Sequence, residues 1–280
     1  MEEKTVKKRS KILQSQAHFL KYIPNTLTLC NSLCGFAAIL YMIQSYKAAP
    51  SVAVNIFYVA SWVIFFAMIF DVFDGLAARL LNAASLHGIQ MDSLSDMVTF
   101  GVTPAIMTAL FAECSFDWAP GAYWRIGIYL LCSIYLGGAA LRLATYNVHA
   151  TLKTKSSSDR FSGLPSPGAA AALCVAVLYL KSRFGSDEAA LKLVGRNLPF
   201  LAAFLGLMMT SKVPYIHAGK WLMSIRRNRK KMPLVLVAIA ILICFRMDGL
   251  AFLTGAYILS GPVLMIFEAR FGKKNVEGEN

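Results

Sequence analysis

VAVNIFYVASWVIFFAMIFDVFD, residues 52–74, carries no charge until Asp71. A helix needs about 20 mostly apolar residues to cross the hydrocarbon of a bilayer, and this stretch supplies them. Working outward, the same reading gives eight spans: 24–46, 52–74, 93–112, 122–146, 166–182, 198–216, 233–247 and 250–268. The tight Met247-Asp248-Gly249 sequence predicts that the last two form a helical hairpin. Ten-residue segments of alternating polarity separated by turns are absent, which excludes a membrane β-barrel. The expected fold is therefore all-α, a polytopic membrane helical bundle of about eight transmembrane helices.

The totals agree. Of 280 residues, 57% are hydrophobic and 15% charged, and mean hydropathy is +0.55. A soluble domain carries about 25% charge, and a disordered chain needs low hydrophobicity, so both classes are excluded. The net charge of +13 does not point to nucleic acid, because the Lys and Arg lie between apolar runs, where they set topology and meet anionic lipid. Cys30, Cys34, Cys132, Cys174 and Cys244 lie inside apolar runs and Cys114 lies near a loop. They read as small buried side chains, not as a disulfide framework or a zinc site. The first apolar run has no small-residue cleavage pattern after it, so no cleaved signal is expected.

Positive charge fixes the expected orientation. With the N-terminus in the cytoplasm, the inner side receives Lys4, Lys7, Lys8, Arg9, Lys11, Lys21, Arg79, Lys153, Lys155 and Arg160. It also receives the cluster Arg226, Arg227, Arg229, Lys230, Lys231 and then Lys273 and Lys274. Both termini come out cytoplasmic. The 181–196 connection runs against the trend, with Lys181, Arg183, Lys192 and Arg196 outside. The expected organisation is a basic cytoplasmic arm (1–21), a core bundle (22–220), a basic loop (221–232), a C-terminal helix pair (233–270) and a cytoplasmic tail (271–280).

Chemistry enters with four aspartates at the inner face. Asp71 and Asp74 are spaced i, i+3, and Asp92 and Asp96 are spaced i, i+4, so each pair shares one face of its helix. A short connection can turn the two faces toward each other. Carboxylates near a bilayer are costly and usually functional, and four in one crevice repel strongly. A divalent cation removes that repulsion. Oxygen-only ligands suit Mg²⁺, Mn²⁺ or Ca²⁺ better than zinc, and two ions can share such a site, as in two-metal phosphoryl transfer. Gly75 and Ala78 keep the face beyond Asp74 small. Arg79 is a candidate phosphate contact, and Gly88 lies in the turn before Asp92.

Read together, DVFDGLAAR (Asp71–Arg79), eight further residues and GIQMDSLSD (Gly88–Asp96) resemble the signature DxxDGxxAR(x8)GxxxDxxxD of the CDP-alcohol phosphotransferase family at every fixed position. Other segments are similar to its phosphatidylserine synthase branch. They are Pro24-Asn25-Thr26-Leu27-Thr28 with Asn31 and Gly35-Phe36, Met91–Asp96 running into Phe100–Ala105, Arg142–Asn147, and Phe161–Pro167. They cover residues 22–170. Beyond these, only hydropathy agrees, and the last two spans exceed the six-helix core of the family.

The resemblance implies a reaction: CDP-diacylglycerol plus L-serine gives phosphatidylserine plus CMP. It implies a metal site of Asp71, Asp74, Asp92 and Asp96 for Mg²⁺ or Mn²⁺, a homodimer, and a bacterial inner membrane with the active site at the cytoplasmic face. Within that mechanism Asp96 is the expected general base. Asn25, Thr28, Gly75, Ala78, Arg79 and Gly88 are the expected nucleotide-side residues. Arg142 is a candidate partner for the serine carboxylate or a lipid phosphate. The loop with Ser162, Gly163 and Ser166 is a candidate acceptor-binding loop, its backbone amides suited to anions. Two alternatives stay open. The same chemistry serves another acceptor (glycerol 3-phosphate, inositol phosphate or choline), and Lys153, Lys155 and Arg160 suit a phosphorylated one. A cation transporter would also bury carboxylates, but its fold class often shows inverted repeats, and this chain shows no internal repeat. A phospholipase-like synthase would need HxKxxxxD motifs, which are absent.

Overall fold

The computed structural model describes residues 22–81, 85–115, 122–152, 161–185, 187–215 and 232–271. The basic arm, the Lys153–Arg160 connection, the cluster Arg226–Lys231 and the C-terminal tail lie outside the described residues. The chain is almost wholly helical: α1 (Tyr22–Ile43), α2 (Pro50–Leu80), α3 (Leu86–Asp96), a π-helical segment (Met97–Val102), α4 (Thr103–Cys114), α5 (Ala122–Leu152), α6 (Ser166–Phe184), α7 (Glu188–Thr210) and α8 (Met232–Phe271). A two-residue antiparallel ladder pairs β1 (Phe161–Ser162) with β2 (Pro214–Tyr215).

The helix ends follow local chemistry. Pro50 starts α2, where its missing N–H costs nothing. Ser85 caps α3, its Oγ accepting from Gly88 N at 3.0 Å. Asp187 caps α7 in the same way, accepting from Ala190 N at 3.3 Å. Gly185, at φ 62°, stops α6.

Among the described residues, seven helical stretches are long and apolar enough to cross a membrane: Tyr22–Tyr46, Ser51–Leu80, Leu86–Cys114, Tyr123–Val148, Ser166–Phe184, Glu188–Thr210 and Cys244–Ile266. The bundle expected from the sequence is present, with three differences. The second and third spans extend past the expected 52–74 and 93–112: α2 stays helical to Leu80, and the Ser85 cap starts the third at Leu86. The sixth runs Glu188–Thr210, not 198–216. Lys192 and Arg196 lie on its first turns, with Lys192 paired to Glu188 at 3.7 Å, so the link from α6 is only a few residues long. The expected span 233–247 is the first limb of α8, which breaks at Arg246 (φ 46°, ψ −112°). That limb rises about 22 Å at 1.5 Å per residue, short of a hydrocarbon core of about 30 Å.

The chain folds back sharply at this break. A Cβ on Gly249 would strike the carbonyl of Ile241, which a straight helix would hold about 12 Å away. Arg183 at the end of α6 reaches Asp248 at 3.5 Å and ties the turn to the bundle.

Leu29, Leu33, Phe36, Trp62, Phe66 and Leu130 stand on the outer surface, each more than 40% exposed. In lipid they are solvated, so they drive no packing, and helices associate instead through small residues and interhelical hydrogen bonds. At the crossing of α5 and α7, a Cβ on Gly138 would collide with the Gly206 carbonyl. Phe57, Phe100, Phe111 and Tyr135 fill the centre, with Phe57 edge-on to Phe111 at 5.2 Å. At the end opposite the aspartates, Glu113 accepts from Tyr129 OH at 2.6 Å and Tyr46 OH at 2.9 Å and lies 3.8 Å from Arg125 Nε. This polar staple joins α4, α5 and the short 3-10 turn Gln44–Lys47 that follows α1.

Candidate active site

The first element of the site is the seam between α1 and α3. Ser95, Thr99 and Thr103, spaced i, i+4, i+8, share one face of the α3–α4 stretch. Their hydroxyls donate to the α1 carbonyls of Thr28 (2.8 Å), Asn31 (3.0 Å) and Gly35 (3.2 Å). Such contact needs a bare backbone at Gly35, where a Cβ would lie 2.8 Å from Thr99 Oγ1 and 2.9 Å from Thr99 Cα. The π-helical segment begins directly after Asp96. Its wider turn lets Thr103 Oγ1 reach back to Val98 O at 2.8 Å, and Tyr135 OH donates to Phe100 O at 2.8 Å. Widened turns of this kind are frequent at functional sites.

With α3 fixed on α1, the two aspartate pairs meet. Asp71, Asp74 and Asp92 each offer one carboxylate oxygen, and these atoms all lie within 4.8 Å of one another. Asp92 Oδ1 is buried with no hydrogen-bond partner among the described residues. Asp96 sits beside this trio: its carboxyl group lies within hydrogen-bonding reach of Asp71, and its Oδ1 accepts from Asn31 Nδ2 at 3.3 Å. Thr28 Oγ1 donates to Asp74 Oδ2 at 2.7 Å while also contacting Pro24 O at 3.0 Å. Ser93 Oγ donates to Asn147 Oδ1 at 2.7 Å and ties α3 to α5. The all-oxygen trio and the partnerless Asp92 oxygen fit a hard divalent cation.

The remaining candidate residues surround this crevice. Asn25 Oδ1 lies 3.6 Å from where a Cβ on Gly88 would stand. Gly88 belongs to the first turn of α3 rather than to a turn before it, because the Ser85 cap starts the helix early. Gly75 faces open space: a Cβ there would meet no described atom within 4 Å. Ala78 is half-buried and Arg79 is exposed on the last turns of α2. Arg142, on α5, donates from Nη1 to Ser166 Oγ at 2.9 Å. Its Nε is buried without a hydrogen-bond partner among the described residues. Its charge interacts with Asp96, Tyr146 and Tyr257.

The 161–166 loop differs from expectation. Gly163, at φ 93°, packs on the Met209 carbonyl. Its N–H donates to Val213 O at 2.9 Å, and Leu164 N–H donates to Met208 O at 3.0 Å. Those amides hold the loop to the end of α7 and are not free for an anion. Ser162 contributes backbone to the β1–β2 ladder, and Ser166 is the loop residue that reaches the site side chain Arg142.

The sequence reading gives no role to Asn31, Tyr146, Asn147 or Tyr257. Asn31 carries a usable signal, being an amide in an apolar span one turn beyond Thr28. Tyr257 carries none.

A family model described as CDP-alcohol phosphatidyltransferase matches residues 21–267. A Helicobacter pylori (strain J99 / ATCC 700824) protein named CDP-diacylglycerol–serine O-phosphatidyltransferase is 30% identical over 253 residues, which are 89% of this chain and 92% of that one. Proteins of the same name from Bacillus subtilis (strain 168) and Saccharomyces cerevisiae (strain ATCC 204508 / S288c) are each 32% identical. The first match covers 57% of this chain and 76% of the relative, the second 52% and 50%.

Proposed function

The chain belongs to the CDP-alcohol phosphatidyltransferase family, and on that premise we propose that it moves the phosphatidyl group of CDP-diacylglycerol to the hydroxyl of L-serine, releasing CMP. The observation that carries the serine reading is the pair of buried groups near Asp96 that find no partner among the described residues. Asn31 Oδ1 is an acceptor without a donor, and Arg142 Nε is a donor without an acceptor. An α-amino acid brings an ammonium for the first and a carboxylate for the second, so neither is left at the cost of an unmade bond. Choline brings no carboxylate or phosphate, and glycerol 3-phosphate and inositol phosphate bring no ammonium. The names of the relatives agree with serine.

In this mechanism Asp71, Asp74 and Asp92 hold Mg²⁺ or Mn²⁺, one ion or two. A bound ion offsets the negative charge of the diphosphate and of departing CMP. Asp96 takes the proton from the serine hydroxyl, with Asn31 holding the carboxyl group in place. The serine oxygen forms a bond to the phosphorus that bears the diacylglycerol, the bond from that phosphorus to the CMP oxygen breaks, and no covalent enzyme intermediate forms. Arg142 and Ser166 hold the serine carboxylate. Asn25, Thr28, Gly75, Ala78, Arg79 and Gly88 flank the nucleotide, with the open volume over Gly75 leaving it room. The aspartate end faces the cytoplasm of a bacterial inner membrane in this reading, supported by the Lys and Arg excess on that side, and the homodimer rests on the family resemblance.

The test is CMP release from CDP-diacylglycerol by purified protein with Mn²⁺ and one acceptor per reaction: serine, glycerol 3-phosphate, inositol phosphate or choline. Release with serine alone, abolished by EDTA, is expected. Release with a different alcohol alone overturns the acceptor assignment while leaving the metal chemistry in place.

A further inference from the structure

The last helix reaches the site by an indirect route. Tyr215, in β2, pairs with Phe161 across the ladder, so it is anchored to the loop that leads into Ser166. Its hydroxyl donates to Ile258 O of α8 at 2.9 Å. Its ring lies against the bare backbone of Gly261 and 5.9 Å from the ring of Tyr257. Tyr257 in turn lies over the first turn of α6, where a Cβ on Gly168 would stand 3.0 Å from its ring. Two residues before Gly168 is Ser166, which accepts from Arg142. The Tyr257 side chain and the Arg142 guanidinium are close enough to interact electrostatically.

Tyr257 is thus held by Tyr215 and by Gly168, which lies two residues along α6 from the Ser166 that accepts from Arg142. We propose that Tyr257 is a positioning and specificity residue: its hydroxyl and the partly buried Arg142 guanidinium together form the seat for the carboxylate of the acceptor, so that the second limb of α8 walls the acceptor pocket. The proposal rests on the serine reading above. The chemistry is that of a carboxylate bound between a cation and a neutral phenol donor. Tyr146, Arg79 and Asp96 also neighbour this region. A carboxylate is repelled by Asp96 and Asp92 and drawn to the Arg142–Tyr257 side, which turns the acceptor hydroxyl toward Asp96.

The experiment uses the full chain in micelles with Mn²⁺ and compares wild type, Tyr257→Phe and Gly168→Ala. Phenylalanine keeps the ring that packs on Tyr215 and Gly168 and removes only the hydroxyl. Alanine at 168 keeps the hydroxyl and displaces the ring. Both are expected to raise KM for serine, by about tenfold for the lost charge-assisted bond, with KM for CDP-diacylglycerol within about twofold of wild type. A general packing role would shift both KM values together or lower only kcat. Either result, or an unchanged serine KM in Tyr257→Phe, overturns the proposal. The acceptor panel run on wild type separates the two ideas. If another alcohol supports CMP release and serine does not, the serine reading falls, and the carboxylate seat falls with it. If serine works and its KM ignores Tyr257, the serine reading stands and only the seat is lost.

Discussion

Thr28→Val removes one hydroxyl and almost no volume, and it isolates the support given to a single carboxylate. Thr28 Oγ1 donates to Asp74 Oδ2 at 2.7 Å, a short contact from a buried first-span residue and in the range of a charge-assisted bond. A hydrogen bond to a charged group contributes about 1.5–3 kcal/mol, and each 1.36 kcal/mol is a factor of ten. The loss should therefore weaken metal binding about 10- to 150-fold, in line with the 10–100-fold cost usual for groups that orient a metal ligand. Pro24 O also loses its contact at 3.0 Å, but a helix carbonyl keeps its backbone bond, so little of the effect should arise there. The assay is a Mn²⁺ titration followed by electron paramagnetic resonance of the free ion, repeated as CMP release against Mn²⁺ concentration. Thr28→Ser, which keeps the hydroxyl, should stay near wild type. A valine variant that is folded and binds Mn²⁺ as tightly as wild type would refute the reasoning, since the bond to Asp74 would then be orienting nothing.

Two further outcomes are expected. Asp96→Ala should lower turnover by about 10²–10⁴-fold, the usual worth of a positioned base, while CDP-diacylglycerol still protects the protein or binds a filter; if nucleotide-lipid binding disappears with activity, Asp96 is better described as a metal ligand. Gly138→Ala should lower the thermal midpoint in detergent, because its methyl collides with the Gly206 carbonyl and overpacking costs about 1–3 kcal/mol; an unchanged midpoint would mean that α5 and α7 separate without penalty.

Much of the site is legible in the chain because its signal is periodic and local. Asp71 with Asp74 and Asp92 with Asp96 need only the helical repeat to share faces, and three of the four carboxylates do converge within 4.8 Å. Hydropathy finds the spans but misplaces their ends. It averages over apolar windows, whereas α2 continues through the exposed Arg79 and Leu80, the Ser85 cap starts α3 at Leu86, and the Asp187 cap starts α7 at Glu188. The 161–166 loop departs from expectation for a related reason. The Gly163 and Leu164 amides are donors in any sequence, and only the fold shows Val213 and Met208 already accepting from them.

The sequence by itself determined that the chain is a membrane helical bundle, which residues carry negative charge into it, and which face of each helix they occupy. These depend on composition and on a repeat of 3.6 residues, which no distant contact alters. The tertiary structure decided what those residues do to one another. Asn31 became the holder of Asp96 and Thr28 that of Asp74 because the continuous α3–α4 stretch hydrogen-bonds along α1 through Ser95, Thr99 and Thr103. Tyr257 came near Arg142 because α8 folds back at Arg246 and docks on Tyr215. Such pairings join residues tens to more than a hundred positions apart. The α1 seam needs the bare backbone of Gly35 against Thr99, a requirement that only the packed helices reveal.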